Sequence, residues 1–124
     1  MILVVEDNAA SQMLAEAVLQ GSGYVVHLAA SATEALDSIE AERPDLILMD
    51  IQLPGQDGLS LTRQLKADPA YASIPVIAVT AHAMASDRQL SLDAGCVEHI
   101  TKPYETQLLA DQIASFLRAL PLET

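Results

Sequence analysis

The sequence predicts an α/β domain built on a doubly wound, five-stranded parallel sheet. Short runs rich in Val, Ile and Leu alternate with longer segments whose apolar residues recur at helical spacing. That alternation is typical of proteins in which each strand is followed by a helix. Three strand candidates are almost continuously apolar, as expected where helices cover both faces of a sheet. The chain has 124 residues, 51% of them hydrophobic, and we expect residues 1–124 to form one domain.

The five strand candidates are dominated by β-branched and long aliphatic side chains, which pack well on a pleated surface. They comprise residues 2–6, 24–29, 45–50, 74–80 and 97–100. The runs are too short to be membrane spans, which need roughly 20 apolar residues.

The first helix candidate, residues 9–20, is predicted from its apolar content and its terminal residues. It is expected to end near Gly21 and Gly23, because glycine readily takes the left-handed conformation that stops a helix. The apolar stripe predicted to face the sheet consists of Met13, Leu14, Ala17 and Val18.

The second helix opens at Ser31 with Glu34 three residues later, the spacing of a capping box. It should end before Pro44, because the residue that precedes a proline avoids the helical conformation. The third helix follows residues 54–58 and carries Leu59, Leu61 and Leu65. The last two candidates comprise residues 86–94 and 106–120.

The charge balance excludes several classes of partner. Seventeen acidic against six basic side chains give a net charge of −11, which opposes binding to nucleic acid or to an anionic membrane surface. The single cysteine, Cys96, excludes an internal disulfide and a thiolate zinc cluster. No basic region precedes the first apolar run, so no signal peptide is indicated. We therefore expect a cytoplasmic protein. Met1 directly before the first strand favours a domain that stands alone.

Polar residues follow four of the predicted strands. The first strand leads into Glu6 and Asp7, and the third ends at Asp50. The fourth ends at Thr80, and Lys102 comes just after the fifth. In open parallel sheets the ligand binds outside the carboxyl ends of the strands, so we expect these side chains to share one edge.

Three carboxylates at one edge would repel one another unless a cation lay between them. Oxygen ligands without His or Cys suit a hard divalent ion, and Mg²⁺ is the expected one. Lys102 and the Thr80 hydroxyl are placed to receive anionic oxygens. These residues together predict a site for a phosphoryl group.

These motifs, in this order and spacing, resemble the CheY-like receiver domain of bacterial two-component response regulators over essentially the whole chain. They are residues 4–8, 46–50, 54–55, 78–81 and 102–103. Residues 46–54 and 74–83 are most similar to the single-domain cell-division regulators of the DivK kind. The resemblance implies a flavodoxin-like (βα)5 fold with strand order 2-1-3-4-5.

The resemblance also implies a phosphoryl relay without turnover of a small molecule. Asp50 would accept the phosphoryl group from a phosphohistidine on a sensor histidine kinase or histidine phosphotransfer protein. Lys102 and Thr80 would each hold a phosphoryl oxygen. The implied Mg²⁺ ligands are Asp7, Asp50, the backbone carbonyl of Gln52 and, through a water molecule, Glu6.

Thr80 is further implied to move on phosphorylation together with the residue three positions before Lys102. Here that residue is His99 where the family has an aromatic ring, and we expect its side chain to be partly exposed. The movement would remodel the face formed by the fourth helix, fifth strand and fifth helix, to which a downstream protein binds. Gln52 and His82 would flank the path of the hydrolytic water and tune dephosphorylation.

Other functions stay open at this stage. A phosphatase of the haloacid-dehalogenase type also uses an Asp nucleophile, but Gln52 stands where its second Asp is usual. A carrier of FMN would need more aromatic residues than the three Tyr and one Phe present. The remaining alternatives are a pseudo-receiver that binds a partner without phosphorylation and an excised receiver of a hybrid histidine kinase.

Overall fold

The computed structural model describes residues 1–51, 53, 58–80, 85–101, 111 and 113–115. Its strands are β1 (Ile2–Val5), β2 (Val26–Ala29), β3 (Leu46–Asp50), β4 (Val76–Thr80) and β5 (Glu98–Thr101). Its helices are α1 (Ala9–Gly21), α2 (Ala32–Ala41), α3 (Gly58–Ala67) and α4 (Ala85–Asp93). Residues 111 and 113–115 are also helical, whereas the rest of the helix predicted over 106–120 lies outside the described residues.

The five strands form one parallel sheet in the order β2-β1-β3-β4-β5, which confirms the predicted fold class and strand order. β1, β3 and β4 are buried along their whole length, as their continuous apolar runs predicted. Because successive side chains of a strand point to opposite faces, the sheet has an apolar layer on each side. α2 and α3 pack on one face, and α1 packs on the other.

Local sequence signals determine where α1 and α2 begin. The side chain of Asn8 caps α1 by accepting a hydrogen bond from the Ser11 amide at 3.0 Å. Ser31 caps α2 in the same way, accepting from the Glu34 amide at 3.2 Å. Gly23 has a φ of +94°, so the left-handed turn after α1 falls at this glycine.

The predicted apolar stripe of α1 is wrong in part: Val18 packs against the buried cluster on this face, but Met13 and Leu14 do not. Met13 is 70% exposed and Leu14 is also exposed, whereas Ala15 and Leu19 are buried against the sheet. α1 carries Ala, Leu, Met or Val on most of its faces, so the helical spacing admits more than one stripe. The stripe that faces the sheet is the one through residues 15 and 19.

Within the described part of the chain, no helix combines the length and the apolar character that crossing a membrane requires.

Candidate functional site

The carboxyl ends of β1, β3 and β4 bring the predicted acidic and hydroxyl residues to one edge of the sheet. Glu6 directly follows the last residue of β1, Asp50 ends β3, and Thr80 ends β4. Val5 pairs with Met49, so Glu6 continues β1 alongside Asp50. Asp50 in turn pairs with Val79 of β4, next to Thr80. The strand order therefore places the candidate nucleophile in the middle strand of the sheet.

The three predicted carboxylates form one cluster. Carboxylate oxygens of Glu6, Asp7 and Asp50 all lie within 4.8 Å of one another. Glu6 and Asp50 are 4% and 5% exposed, while Asp7 lies in solvent. Two carboxylates of the cluster are thus buried, and the third lies at its solvent-exposed mouth, where a hydrated ion can approach.

Backbone and side-chain hydrogen bonds fix Glu6 beneath this mouth. Its amide donates to the Ala29 carbonyl at 2.9 Å, which extends the pairing of β1 with β2. One of its carboxylate oxygens accepts from the Asn8 amide at 3.1 Å, and its carbonyl accepts from Gln12 Nε2 at 2.5 Å. Residues at the start of α1 therefore hold both the side chain and the backbone of Glu6 in place.

The donor set suits a hard divalent cation. All three side chains offer oxygen, and their spacing lets one ion contact more than one carboxylate. Mg²⁺ usually binds through one or two carboxylates and keeps several waters, which matches a cluster that opens to solvent at Asp7. The residues present therefore fit the predicted magnesium site.

His99 corrects one sequence expectation. Its side chain is 8% exposed, so it is buried and not partly exposed as expected. The ring packs beneath α4, where Nδ1 lies 3.0 Å from the hydroxyl of the fully buried Ser91. α4 packs against β5 and covers the His99 ring. Within the described residues, Nε2 has no hydrogen-bond partner.

The structure does not describe every residue predicted for the site. Gln52, His82 and Lys102 lie outside the described residues. The roles implied for them, as Mg²⁺ ligand, as dephosphorylation residues and as phosphoryl contact, stay predictions. Of the others, Thr80 lies at the predicted sheet edge and is 2% exposed.

Three contributors were missed by the sequence analysis. Asn8 precedes a predicted helix and is a good N-cap residue, so its position could have been inferred from sequence. Gln12 lies one turn further along α1, and nothing in the sequence marks its bond to the Glu6 carbonyl. Ser91 and His99 are eight residues apart on different elements, so no local spacing connects them.

Comparison with known proteins finds a family match over most of the chain. Residues 2–114 match the response regulator receiver domain family. The polar-differentiation response regulator DivK of Brucella anthropi is 42% identical over 116 residues, which are 94% of each chain.

Solved structures show the same fold. A response regulator structure from Chloroflexus aurantiacus has a TM-score of 0.90 at 33% identity, covering 94% of this chain and 96% of its own. The receiver domain of a sensor histidine kinase from Pseudomonas aeruginosa has a TM-score of 0.86 at 39% identity, covering 95% and 97%. That structure has a magnesium ion coordinated in its active-site cleft. By sequence and by fold, this chain belongs to the response regulator receiver domain family of two-component signalling proteins.

Proposed function

We propose that the chain accepts a phosphoryl group on Asp50 in a Mg²⁺-dependent reaction with a phosphohistidine of a partner protein. The observation that carries this proposal is the cluster of three carboxylates within 4.8 Å at the carboxyl ends of the strands. Asp50 ends the middle strand of the sheet, is 5% exposed and pairs with Val79 of β4.

In the proposed step, a carboxylate oxygen of Asp50 forms a bond to phosphorus. The bond from phosphorus to the partner's histidine nitrogen breaks, and its electron pair returns to that nitrogen. The products are an acyl phosphate on Asp50 and an unphosphorylated histidine on the partner. Such reactions are accelerated mainly by positioning and by neutralising the charge on the phosphoryl oxygens.

The proposed ligands of Mg²⁺ are Asp7, Asp50, the Gln52 carbonyl and, through water, Glu6. When bound, the ion would supply positive charge that offsets the charge on the phosphoryl oxygens. Lys102 and Thr80 are proposed to hold the remaining oxygens. Thr80 is well placed for this role, because it ends the strand that pairs with β3 beside Asp50.

The proposed partners are a histidine kinase or phosphotransfer protein as donor and a second protein as target. The target is proposed to bind the face that includes α4 and β5. Leu90 of α4 is 49% exposed and Val97, just before β5, is 44% exposed, so exposed apolar side chains are present at both elements. We propose that the exchange takes place in the cytoplasm, a reducing compartment that suits a chain with the free thiol of Cys96.

Intact mass spectrometry after incubation with acetyl phosphate tests the acceptor chemistry. We expect a gain of about 80 Da, the mass of one phosphoryl group, that requires Mg²⁺ and is absent from Asp50→Asn. Asp37→Asn, which changes an exposed carboxylate of α2, should behave as the parent. If the folded, Mg²⁺-bound parent gains no mass either from acetyl phosphate or from a phosphorylated histidine phosphotransfer protein, the proposal is wrong and the pseudo-receiver alternative replaces it.

The decay of the acyl phosphate tests the two residues proposed to flank the hydrolytic water. We expect Gln52→Ala and His82→Ala to change the rate at which the added mass is lost after the phosphodonor is removed. Decay at the parental rate in both variants would remove these residues from the proposal.

A further inference from the structure

Gly58, the first residue of α3, lies against the backbone of the proposed phosphoryl acceptor. A methyl group on its Cα would overlap the carbonyl oxygen of Asp50. The same methyl would lie 2.9 Å from the Asp50 carbonyl carbon and 2.9 Å from the Cα of Ile51. Non-bonded carbon atoms prefer separations of about 3.5–4.0 Å. All three neighbours are backbone atoms, so no side chain can turn aside, and only glycine permits this contact.

Two backbone hydrogen bonds of Ile51 hold the Asp50 backbone close to Gly58. The Ile51 amide donates to the Val79 carbonyl at 3.1 Å, which continues the pairing of β3 with β4. The Ile51 carbonyl accepts from the Gly58 amide at 2.7 Å, which ties the end of β3 to the start of α3. The backbone that leaves Asp50 is therefore held by β4 and α3 together.

Thr62 secures Gly58 from within α3. Its hydroxyl donates to the Gly58 carbonyl at 2.8 Å, and its side chain is fully buried. These contacts link the end of β3 to the first turn of α3. We name them the β3–α3 clamp, which consists of Asp50, Ile51, Gly58 and Thr62. A buried carbonyl that lost this donor would have one hydrogen bond fewer, so the first turn of α3 would be less firmly held.

We infer that Gly58 and Thr62 are positioning residues that set the direction of the Asp50 carboxylate toward Glu6 and Asp7. The inference rests on the proposed function of Asp50. A single methylene joins that carboxylate to its Cα, so a displacement of the backbone is passed almost fully to the oxygens. Displacements of about 1 Å in a reacting group can lower rates on the order of a hundredfold.

The test compares Gly58→Ala with two other glycine-to-alanine variants. Gly21→Ala adds a methyl that meets no atom of the described residues within 4 Å, at a φ that is not positive. In Gly23→Ala the methyl also meets no atom of the described part of the chain within 4 Å, but the φ of +94° strains the backbone. Gly21 ends α1 and Gly23 lies in the connection to β2, which enters at the amino ends of the strands, whereas Asp50 lies at a carboxyl end. These two control variants distinguish an effect of displacing the Asp50 backbone from an effect of lowering the stability of the whole domain.

Three quantities are measured on each variant: the rate of mass gain with acetyl phosphate at saturating Mg²⁺, the Mg²⁺ affinity by calorimetry, and the urea midpoint. For Gly58→Ala we expect the rate to fall between tenfold and a hundredfold, roughly, and the Mg²⁺ affinity to weaken. Gly23→Ala should lose urea resistance yet keep the parental rate and affinity, and Gly21→Ala should keep all three. A folded Gly58→Ala with parental rate and affinity would overturn the inference.

Thr62 keeps the inference testable if Gly58→Ala does not fold. Thr62→Val removes the hydroxyl at nearly constant volume, whereas Thr62→Ser retains it. We expect slower phosphorylation and weaker Mg²⁺ binding in Thr62→Val, with recovery in Thr62→Ser; equal values in the two variants would overturn the inference. Absence of mass gain in the parent with either phosphodonor would instead refute the proposed function, and the Mg²⁺ affinities would still report the position of the carboxylate.

Discussion

Among the residues that the structure describes, one ring nitrogen of His99 has a hydrogen-bond partner and the other has none. Nδ1 lies 3.0 Å from the Ser91 hydroxyl, and in the part of the chain that the structure describes Nε2 meets no partner. A buried polar atom that is left without a partner costs about 1–3 kcal/mol. The free energy of unfolding should therefore change when a hydrogen-bond partner of this ring is removed or when the ring loses its polar atoms.

We predict that Ser91→Ala lowers the free energy of unfolding by about 1–3 kcal/mol, because Nδ1 then also loses its partner. The double variant Ser91→Ala/His99→Phe carries a ring without polar atoms, and we predict that it regains about 1 kcal/mol or more over Ser91→Ala. Urea unfolding followed by circular dichroism measures both differences. A double variant no more stable than Ser91→Ala would contradict this description of the ring.

Burial shifts the pKa values of two neighbouring groups, the Cys96 thiol and the Lys66 ammonium, in opposite directions. Burial raises the pKa of the Cys96 thiol above its usual 9.0, and the Thr62 hydroxyl and the Lys66 charge only partly offset that effect. Burial lowers the pKa of the Lys66 ammonium below its usual 10.5, against the opposing effect of Cys96. The ammonium donates to the carbonyls of Ala72 and Ile74 at 3.0 and 2.6 Å.

The raised pKa of Cys96 predicts a loss of stability at alkaline pH. Just above pH 9.0 the folded state keeps a thiol proton that the unfolded state has released, so the free energy of unfolding falls as pH rises. Lys66 contributes the opposite slope below pH 10.5, and this slope is at least as large in Cys96→Ala, where the opposing effect of Cys96 is absent. Relative to Cys96→Ala, the parent should therefore lose stability as pH increases through this range. Parallel curves of unfolding free energy against pH would contradict the prediction.

At the scale of the element, the orientation of α1 has a direct test. Leu19 is fully buried and Met13 is 70% exposed, although the sequence pattern placed Met13 in the buried stripe. We predict that Leu19→Ala costs about 2–5 kcal/mol of unfolding free energy. Met13→Ala should change it by no more than about 0.5 kcal/mol. Similar losses in the two variants would contradict this orientation of α1.

The strands were predictable because continuous apolar runs bounded by turns have few other interpretations. Their ends were less so: the second was predicted from Tyr24, but pairing with β1 begins at Val26. The start of α2 followed from the capping residue Ser31. The buried face of α1 could not be predicted, because rotation of a helix about its axis is fixed by contacts with the sheet when most faces are apolar.

The same division applies to the site. The proximity of Glu6, Asp7 and Asp50 could be predicted, since parallel strands end at one edge of their sheet. The contact of Ser91 with His99 could not, because it depends on how α4 lies over β5. Nor could the contact of Gly58 with the Asp50 backbone, which depends on how the chain returns from β3 into α3.

At the scale of the whole molecule, a net charge of −11 adds to the repulsion within the carboxylate cluster. An ion that binds only the folded state raises the free energy of unfolding, by about 2.7 kcal/mol at a concentration one hundred times its Kd. We therefore predict that Mg²⁺ raises the Tm of the parent in a concentration-dependent manner. Added monovalent salt should weaken the effect by screening.

Asp7→Asn should lose most of this Mg²⁺-dependent rise in Tm, since it removes the charge at the mouth of the cluster. Asp37→Asn removes the same charge from an exposed position on α2 and should keep the rise. Equal rises in the two variants would show that Mg²⁺ acts on the overall negative charge and not at this site.

The central claim, that Asp50 carries the phosphoryl group, is tested most directly by locating that group in the chain. Borohydride reduces an aspartyl phosphate to homoserine and leaves unmodified aspartates unchanged, so tandem mass spectrometry of the digested protein identifies the acceptor. After incubation with acetyl phosphate and Mg²⁺, we predict homoserine at position 50 and at no other aspartate. Homoserine at Asp7 or Asp37, or a mass gain that leaves position 50 as aspartate after reduction, would contradict the claim.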